Sequence, residues 1–275
     1  MRISIITATY NSSSTIKDTL ESVRDQTYKN VEHLIIDGLS KDDTLEIVGA
    51  YPHVSKILSE KDKGIYDAMN KGISHANGDI IGILNSDDFY ASPEVLSKVA
   101  RAFEDPSIDA VYGDLQYVDH GNTQKIVRRW KAGNYTKKSF YYGWMPPHPS
   151  FFVRKKLYEQ SGNFNLQLRS AADYEIMLRF LLKNNYKAAY IPEVLVKMRT
   201  GGMSNASLKN RLRANREDRM AWSLNGLKPW FFTLIMKPLR ELGKWVGGGV
   251  TATAWRSGGS SRKESPNVSR AVLCC

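Results

Sequence analysis

Cysteine is nearly absent from this 275-residue chain: the only two are Cys274 and Cys275, side by side at its end. They supply neither a disulfide framework nor a cysteine metal site, and their scarcity fits a reducing compartment. Long apolar runs are missing too. The opening MRISIITATYN has one basic residue and an apolar run interrupted by Ser4 and Thr7. That run is too brief for a secretory leader and reads as a first core strand. The apolar run within KPWFFTLIMKP is too short to span a bilayer. A cytoplasmic protein is expected, or one peripheral at the inner face of the cell membrane. Neither GxGxxG nor a P-loop pattern occurs, so dinucleotide and P-loop mechanisms lose support. Acidic residues thin out toward the C-terminus. From Gly201 onward 13 Lys and Arg stand against 4 acids, a net +9 out of the chain's +11. The first 200 residues are therefore nearly neutral, which argues against a nucleic-acid groove through the main domain.

What is present is a globular composition, 42% hydrophobic, in a chain long enough for one elaborated α/β domain or one domain with a small annex. Strand-length apolar runs at Ile3 to Ala8, Val31 to Asp37, Val54 to Ser59, Ile80 to Leu84 and Ala110 to Gly113 alternate with helical patterns. The helices are expected at Ser14 to Gln26, Lys41 to Gly49, Gly64 to His75 and Pro93 to Phe103. This alternation predicts a mostly parallel sheet with helices on both faces. After Gly113 the rhythm changes to a hairpin turning at His120-Gly121-Asn122, then an aromatic and proline-rich stretch. A helix from Ala171 to Asn184 and a last strand from Lys187 to Lys197 follow. Residues 206–246 read as helices broken at Pro229 and Pro238. Within them Lys237, Arg240 and Lys244 share one side, either a basic face for an anionic membrane or the wet face of a packed helix.

A parallel sheet gathers its chemistry at the carboxyl ends of its strands. Those loops read TATYNSSST, DGLSKDDT, SEKDKGIYDAMNKG and NSDDFYASP, all rich in polar residues, and predict a polar ligand site. Asp87 and Asp88 suit a divalent cation that takes one or two carboxylates and completes its shell with phosphate oxygens; a helix-capping aspartate with a surface neighbour is the other reading. Asp37, where the second strand runs out, is placed to bond a base or ribose. Asp42 and Asp43 read as helix-start residues. Asp67 and Asn70 share one helical face, with Tyr66 and Met69 read as packing residues. Asp173, at a predicted helix start, is either a base that takes a proton from a substrate hydroxyl or an N-cap. His148 in PPHPS binds substrate or orders its turn.

Together these blocks make the chain resemble the inverting glycosyltransferases of family 2, with a GT-A catalytic fold, in the bacterial branch of exopolysaccharide, capsule or lipopolysaccharide assembly. The resemblance spans about residues 1 to 205 and rests on SIITATYNSSSTIKDTLESVRDQTYKNVEHLIIDGLSKDDT and SEKDKGIYDAMNKGISHANGDIIGILNSDD. It implies Thr7, Thr9 and Asn11 at the donor-nucleotide edge, Asp37 at the base, Asp67 near the ribose or sugar and Lys63 near phosphate. The family's acid-x-acid motif stands here as Asn85-Ser86-Asp87 followed by Asp88. The implied Mn²⁺ or Mg²⁺ falls to Asp87 and Asp88, with Asp88 favoured for the ion and Asp87 for the ribose. Asp173 is the implied catalytic base, although Ala172 stands where a glutamate is often found. RTGGMS, with Arg199, Gly202 and Ser204, resembles a closing loop on the diphosphate. The implied activity moves a hexosyl or N-acetylhexosaminyl group from a UDP-sugar to a glycan or lipid-linked acceptor. Residues 1–113 would then bind the nucleotide-sugar and 114–205 the acceptor, within one domain. Residues 206–246 would form a basic extension touching membrane through 228–246, and 247–275 a disordered tail. A sugar nucleotidyltransferase, which lacks its usual glycine- and base-rich loop here, and a catalytically inactive GT-A-like glycan-binding or assembly protein are the alternatives.

Overall fold

All seven residues of β1 (Ile3–Thr9) are buried, as a strand covered on both faces requires. A computed structural model of the protein describes residues 1–201 and 208–237. After β1, α1 (Ile16–Arg24) buries Ile16, Leu20 and Val23 along one face. There follow β2 (Val31–Asp37), α2 (Thr44–Gly49), β3 (Val54–Ser59), α3 (Ile65–His75), β4 (Ile80–Ile83), β5 (Asp88–Tyr90) and α4 (Val95–Ala102). Helix α3 lies directly on β1. A Cβ at Gly72 would fall 2.3 Å from Ile6 Cγ2, so this close approach requires glycine.

The second half adds β6 (Ala110–Val118), β7 (Ile126–Trp130), α5 (Lys137–Tyr141), β8 (Phe151–Arg154), α6 (Lys155–Ser161), α7 (Ala172–Met177), β9 (Ala188–Arg199) and α8 (Leu208–Leu224). Helix α7 runs on into a π-helical stretch, Leu178–Lys183, so the helix expected from Ala171 to Asn184 is present with a wider last turn. The expected hairpin is β6–β7. Asp119 accepts N–H bonds from Gly121 and Asn122 and shapes its turn.

Among the described residues nine strands join one sheet in the order β3-β2-β1-β4-β8-β6-β9-β5, with β7 paired to β6. Strands β1, β2, β3, β4, β6 and β9 run one way, and β5, β7 and β8 oppose them. The fold is therefore the mostly parallel α/β sheet expected, with helices packed on it. Neither β5 nor β8 is legible as a strand in the sequence. Three-residue β5 exists only because Asp88, Phe89 and Tyr90 pair with Met198, Lys197 and Val196 of β9, a contact that local periodicity cannot encode. One hydrophobic cluster holds Ile6 and Ile83 from the first half with Phe151, Tyr174 and Trp222 from the second.

The basic extension differs from its expected form. Residues 227–230 are non-helical and 233–237 make a short helical turn. Lys237 does not sit on a wet basic face. Its ammonium is buried, 2.6 Å from Asp218 and 3.8 Å from the centre of the Tyr174 ring. Burial beside a carboxylate and an aromatic face outweighs the helical periodicity that grouped it with Arg240 and Lys244. Residues 238–246, which carry those two bases, and 247–275 lie outside the described residues.

Candidate active site

The parallel strands deliver Thr9, Asp37 and Ser59 in register at adjacent strand ends. Asp37 is fully buried. Its Oδ2 accepts the Ser59 hydroxyl at 2.7 Å and the Ser40 N–H at 3.0 Å, and its Oδ1 accepts the Ser40 hydroxyl. A buried carboxylate this well supplied stays in place and organises the loop after β2. Asn11, at a left-handed φ of 49°, ties that loop to the one after β1. Its N–H donates to Ser40 Oγ and its Oδ1 accepts from the Lys41 N–H, both at 2.8 Å. The Ser13 N–H adds a bond to Asp42 Oδ2 at 3.0 Å. Asp42 also accepts from the hydroxyl and N–H of Thr44 at the start of α2, and these donors hold it below the usual carboxylate range. Asp43 occupies the cap position without a side-chain bond.

Thr9 presents a buried hydroxyl with no hydrogen-bond partner among the described residues. Thr7, two residues earlier, turns into the sheet. It is fully buried and its hydroxyl pairs with His33 Nε2 at 3.0 Å. The structure thus separates Thr7, engaged in the core, from Thr9 and Asn11 at the strand ends. In the loop before α3, Lys63 is exposed. Its N–H donates to Asp67 Oδ2 at 2.9 Å, and Lys71 lies 3.9 Å from the same carboxylate. Asp62 was not singled out in the sequence. Its carboxylate lies so close to Gly38 that a Cβ there would sit 2.5 Å from Oδ2, so the loops after β2 and β3 meet.

The Asn85 to Asp88 turn is anchored from three sides. Ser86 and Ser12 hydroxyls meet at 2.8 Å, the Thr19 hydroxyl donates to Asp88 O at 2.7 Å, and Arg199 Nη1 donates to Asp87 O at 2.8 Å. Arg199 also pairs with Asp18, a partner that no sequence signal marked. Arg199 thus clamps this turn from β9 rather than standing free in a phosphate loop. Gly202 and Ser204 lie outside the described residues.

The two adjacent carboxylates divide their roles by exposure. Asp88 has no exposed surface, while Asp87 is half-buried. Asn85 Nδ2 donates to Asp88 Oδ2 at 3.2 Å; Asp88 Oδ1 and Asn85 Oδ1 are buried with no hydrogen-bond partner among the described residues. Burial and the neighbouring Asp87 push the Asp88 carboxyl well above its ordinary range. Burial raises Asp87 as well, against the opposing charges of Arg199 and His120. Asp87 is the more exposed of the two carboxylates. The orphaned oxygens of Asp88 and Asn85 form an oxygen-only set beside it. That chemistry suits a hard divalent cation that brings its own phosphate and water ligands. Among the described residues no three His, Cys, Asp or Glu group as a self-sufficient metal site.

A second station forms where α7 begins. Asp173 is half-buried, and both of its hydrogen bonds arrive at Oδ1, from the Tyr66 hydroxyl at 3.2 Å and the Tyr174 N–H at 2.8 Å. Tyr66 belongs to the first turn of α3, next to Asp67, and so links the two stations. It stacks on Phe164 at 5.5 Å, and burial beside the Asp173 carboxylate pushes its hydroxyl well above the ordinary range. The sequence reading of Tyr66 as a packing residue misses this polar end, whereas Met69 does pack, at 2% exposure. His148 meets Phe164 edge-on at 5.6 Å; burial lowers its basicity and the nearby Asp173 partly opposes that. Asn70 exchanges two 2.9 Å bonds with the Phe164 backbone and so holds the loop that carries this ring. A cavity of about 380 Å³ beside Ile73, Lys155, Tyr158 and Glu159 shares no lining residue with either station.

This architecture is that of the GT-A glycosyltransferases. The S. aureus TarS 1–349 structure in complex with UDP-GlcNAc superposes with a TM-score of 0.66 at 20% identity, over 82% of this chain and 65% of that one. The mannosyltransferase PcManGT from Pyrobaculum calidifontis, in complex with GDP-Man and Mn²⁺, gives 0.61 at 17% identity, over 90% and 76%. Another S. aureus TarS structure is matched over 39% of its length. In sequence, an uncharacterized glycosyltransferase of Mycobacterium tuberculosis is 32% identical over 189 residues, 66% of this chain and 69% of the relative. A PGL/p-HBAD biosynthesis glycosyltransferase of Mycobacterium bovis is 30% identical over 213 residues, 74% and 78%. The family model described as glycosyl transferase family 2 matches residues 4–169, and the chain belongs to that family. It is a glycosyltransferase.

Proposed function

We propose that the protein transfers a sugar from a UDP-sugar to a hydroxyl of a glycan or lipid-linked acceptor, inverting the anomeric linkage, in the assembly of a cell-surface polysaccharide or glycolipid. The observation that carries the reading is the Asp173 carboxylate, tethered among the described residues through Oδ1 alone. That tether orients the group and leaves Oδ2 to take the acceptor proton as its oxygen attacks the anomeric carbon. The bond to the departing nucleoside diphosphate breaks on the opposite face of the sugar. Thr9, Asn11, Asp37, Lys63 and Asp67 form the donor side, with Asp37 at the base. Asp87, backed by Asp88 and Asn85, would hold Mn²⁺ or Mg²⁺. The bound ion supplies countercharge for the diphosphate. His148 and Phe164 flank the base on the acceptor side, and Arg199 keeps the Asp87 turn in place. The relative named for PGL/p-HBAD biosynthesis supports a glycolipid or polysaccharide product, and the TarS complex supports a uridine nucleotide.

Among the described residues no helix is long and apolar enough to cross a membrane. Peripheral contact through residues 228–246, at the cytoplasmic leaflet, is the reading that fits the basic extension. The deciding experiment is a nucleotide-sugar panel scored for hydrolysis and transfer, with and without EDTA. Failure of every UDP-sugar, with turnover of another nucleotide-sugar, sinks the donor assignment; wild-type transfer by Asp173→Asn sinks the base.

A further inference from the structure

Segment 227–237 carries an unusual surface. Phe231 is 92% exposed, Ile235 60% and Trp230 40%, and the neighbouring Tyr142 at the end of α5 is 44% exposed. The rings are continuous: Trp230 lies 5.4 Å from both Tyr142 and Phe232, and Phe231 lies 5.1 Å from Phe232. Water-facing aromatic and aliphatic side chains of this density mark a surface that is covered in use.

The patch is seated firmly on the acceptor side of the molecule. The Thr233 hydroxyl donates to Tyr141 O at 2.7 Å, and Lys237 pairs with Asp218 of α8 at 2.6 Å. Gly143, at φ 73°, allows the chain to lie against it, since a Cβ there would fall 2.4 Å from the Lys237 N. Lys237 also sits over the ring of Tyr174, the neighbour of Asp173. The patch is thus coupled through one packed layer to the helix that bears the base.

The charge around it has one sign. Between residues 208 and 237 the only acids are Glu217 and Asp218, and both are turned inward. Glu217 accepts from Arg169 N, Ser170 N and the Ser170 hydroxyl, and Asp218 from Lys237. Arg213, Arg216, Arg219 and Lys228 face solvent. An apolar patch with aromatic rings, in a segment whose exposed charge is wholly basic, matches an anionic lipid surface. Phe and Ile enter the acyl boundary, Trp and Tyr sit at headgroup depth, and the bases meet lipid phosphates.

We infer that Trp230, Phe231 and Ile235, with Tyr142 at the rim, form a monotopic docking surface for an anionic bilayer, holding the α7 end of the enzyme toward acceptors embedded in that leaflet. This deepens the membrane-contact reading above by naming the surface, and it is tested without any acceptor. The full chain and its F231S/I235S variant are sedimented with vesicles of phosphatidylcholine alone or with 30% phosphatidylglycerol. Hydrolysis of the donor in solution and thermal melting are followed in parallel. The expected result is binding to the anionic vesicles at least tenfold stronger than to the neutral ones, weakened by tenfold or more in the variant, with melting and hydrolysis unchanged. Equal sedimentation of variant and wild type, or no sedimentation of either, overturns the proposal. So does a variant that keeps vesicle binding but changes from dimer to monomer in sedimentation velocity, which would make the patch a self-association face. Loss of hydrolysis in wild type bears on the transferase reading alone.

Discussion

The two carboxylate stations are built on opposite plans. In the turn after β4 Asp87 and Asp88 stand adjacent, one half-buried and one with no exposed surface, braced by Arg199, Thr19 and Ser12. At the start of α7 Asp173 has, among the described residues, one oxygen tethered by a tyrosine and an N–H. Buried like charges need an external counterpart to be worth keeping, whereas a lone base needs one unhindered oxygen and a fixed orientation. In the proposed reaction the first station would receive a cation and the second would hold one proton.

The sharpest way to break the contrast is Asp173→Asn. Transfer should fall about a thousandfold, within the range general bases contribute, while UDP affinity by calorimetry stays within about twofold of wild type. Asp87→Asn should do the reverse. Transfer at limiting Mn²⁺ should drop about a hundredfold, on the order of a lost metal ligand or its support, and be partly restored by excess ion. Asp88→Asn should need much less added ion, because its carboxylate is inaccessible. A metal titration in which Asp88→Asn suffers more than Asp87→Asn would return the ion to Asp88.

Beneath the ends of the parallel strands, His33 should make an acid-sensitive contribution to the fold. Burial pushes His33, beneath Thr7, down to about 3. In the unfolded chain it titrates near 6.5, so below that pH the unfolded state binds the extra proton. Its contribution is fully present above pH 6.5 and is lost as pH falls toward 3, at about 1.4 kcal/mol per unit. Urea melts at about pH 7 and 5 should show wild type losing more stability on acidification than His33→Gln, by this slope, since the opposite contribution of Asp87 and Asp88 is common to both. The smallest effect is expected at Tyr66→Phe. Loss of one donor to Asp173 should lower kcat by about tenfold or less, on the scale of a hydrogen bond to a charged group. An unchanged kcat would reduce Tyr66 to a packing residue.

Much of the donor half was readable beforehand. Apolar runs announced β1, β2 and β4 within a residue or so, because a strand buried on both faces must be apolar throughout, and the more exposed edge strand β3 followed from its place in the alternation. The loops that follow them were rich in the residues that now stitch Asn11, Ser40, Asp42 and Asp37 together. The acceptor half was less legible. Strand β8 lies hidden in an aromatic stretch, and β5 is three residues long and owes its existence to β9. Tyr66 shows the same limit within a helix. Its spacing matches Met69 as a packing residue, and only its meeting with Asp173, 107 residues away, gives its hydroxyl a carboxylate partner.

The sequence by itself determined the alternation of elements, the family blocks and the presence of Asp37, Asp87, Asp88 and Asp173, because apolar periodicity and local motifs are properties of neighbouring residues. Tertiary structure alone decided which of two adjacent aspartates meets solvent and that Arg199 clamps their turn. It also buried Lys237 while leaving Phe231 bare. Exposure and partnership depend on which distant strands and helices arrive beside a residue, and no short window of sequence contains that information.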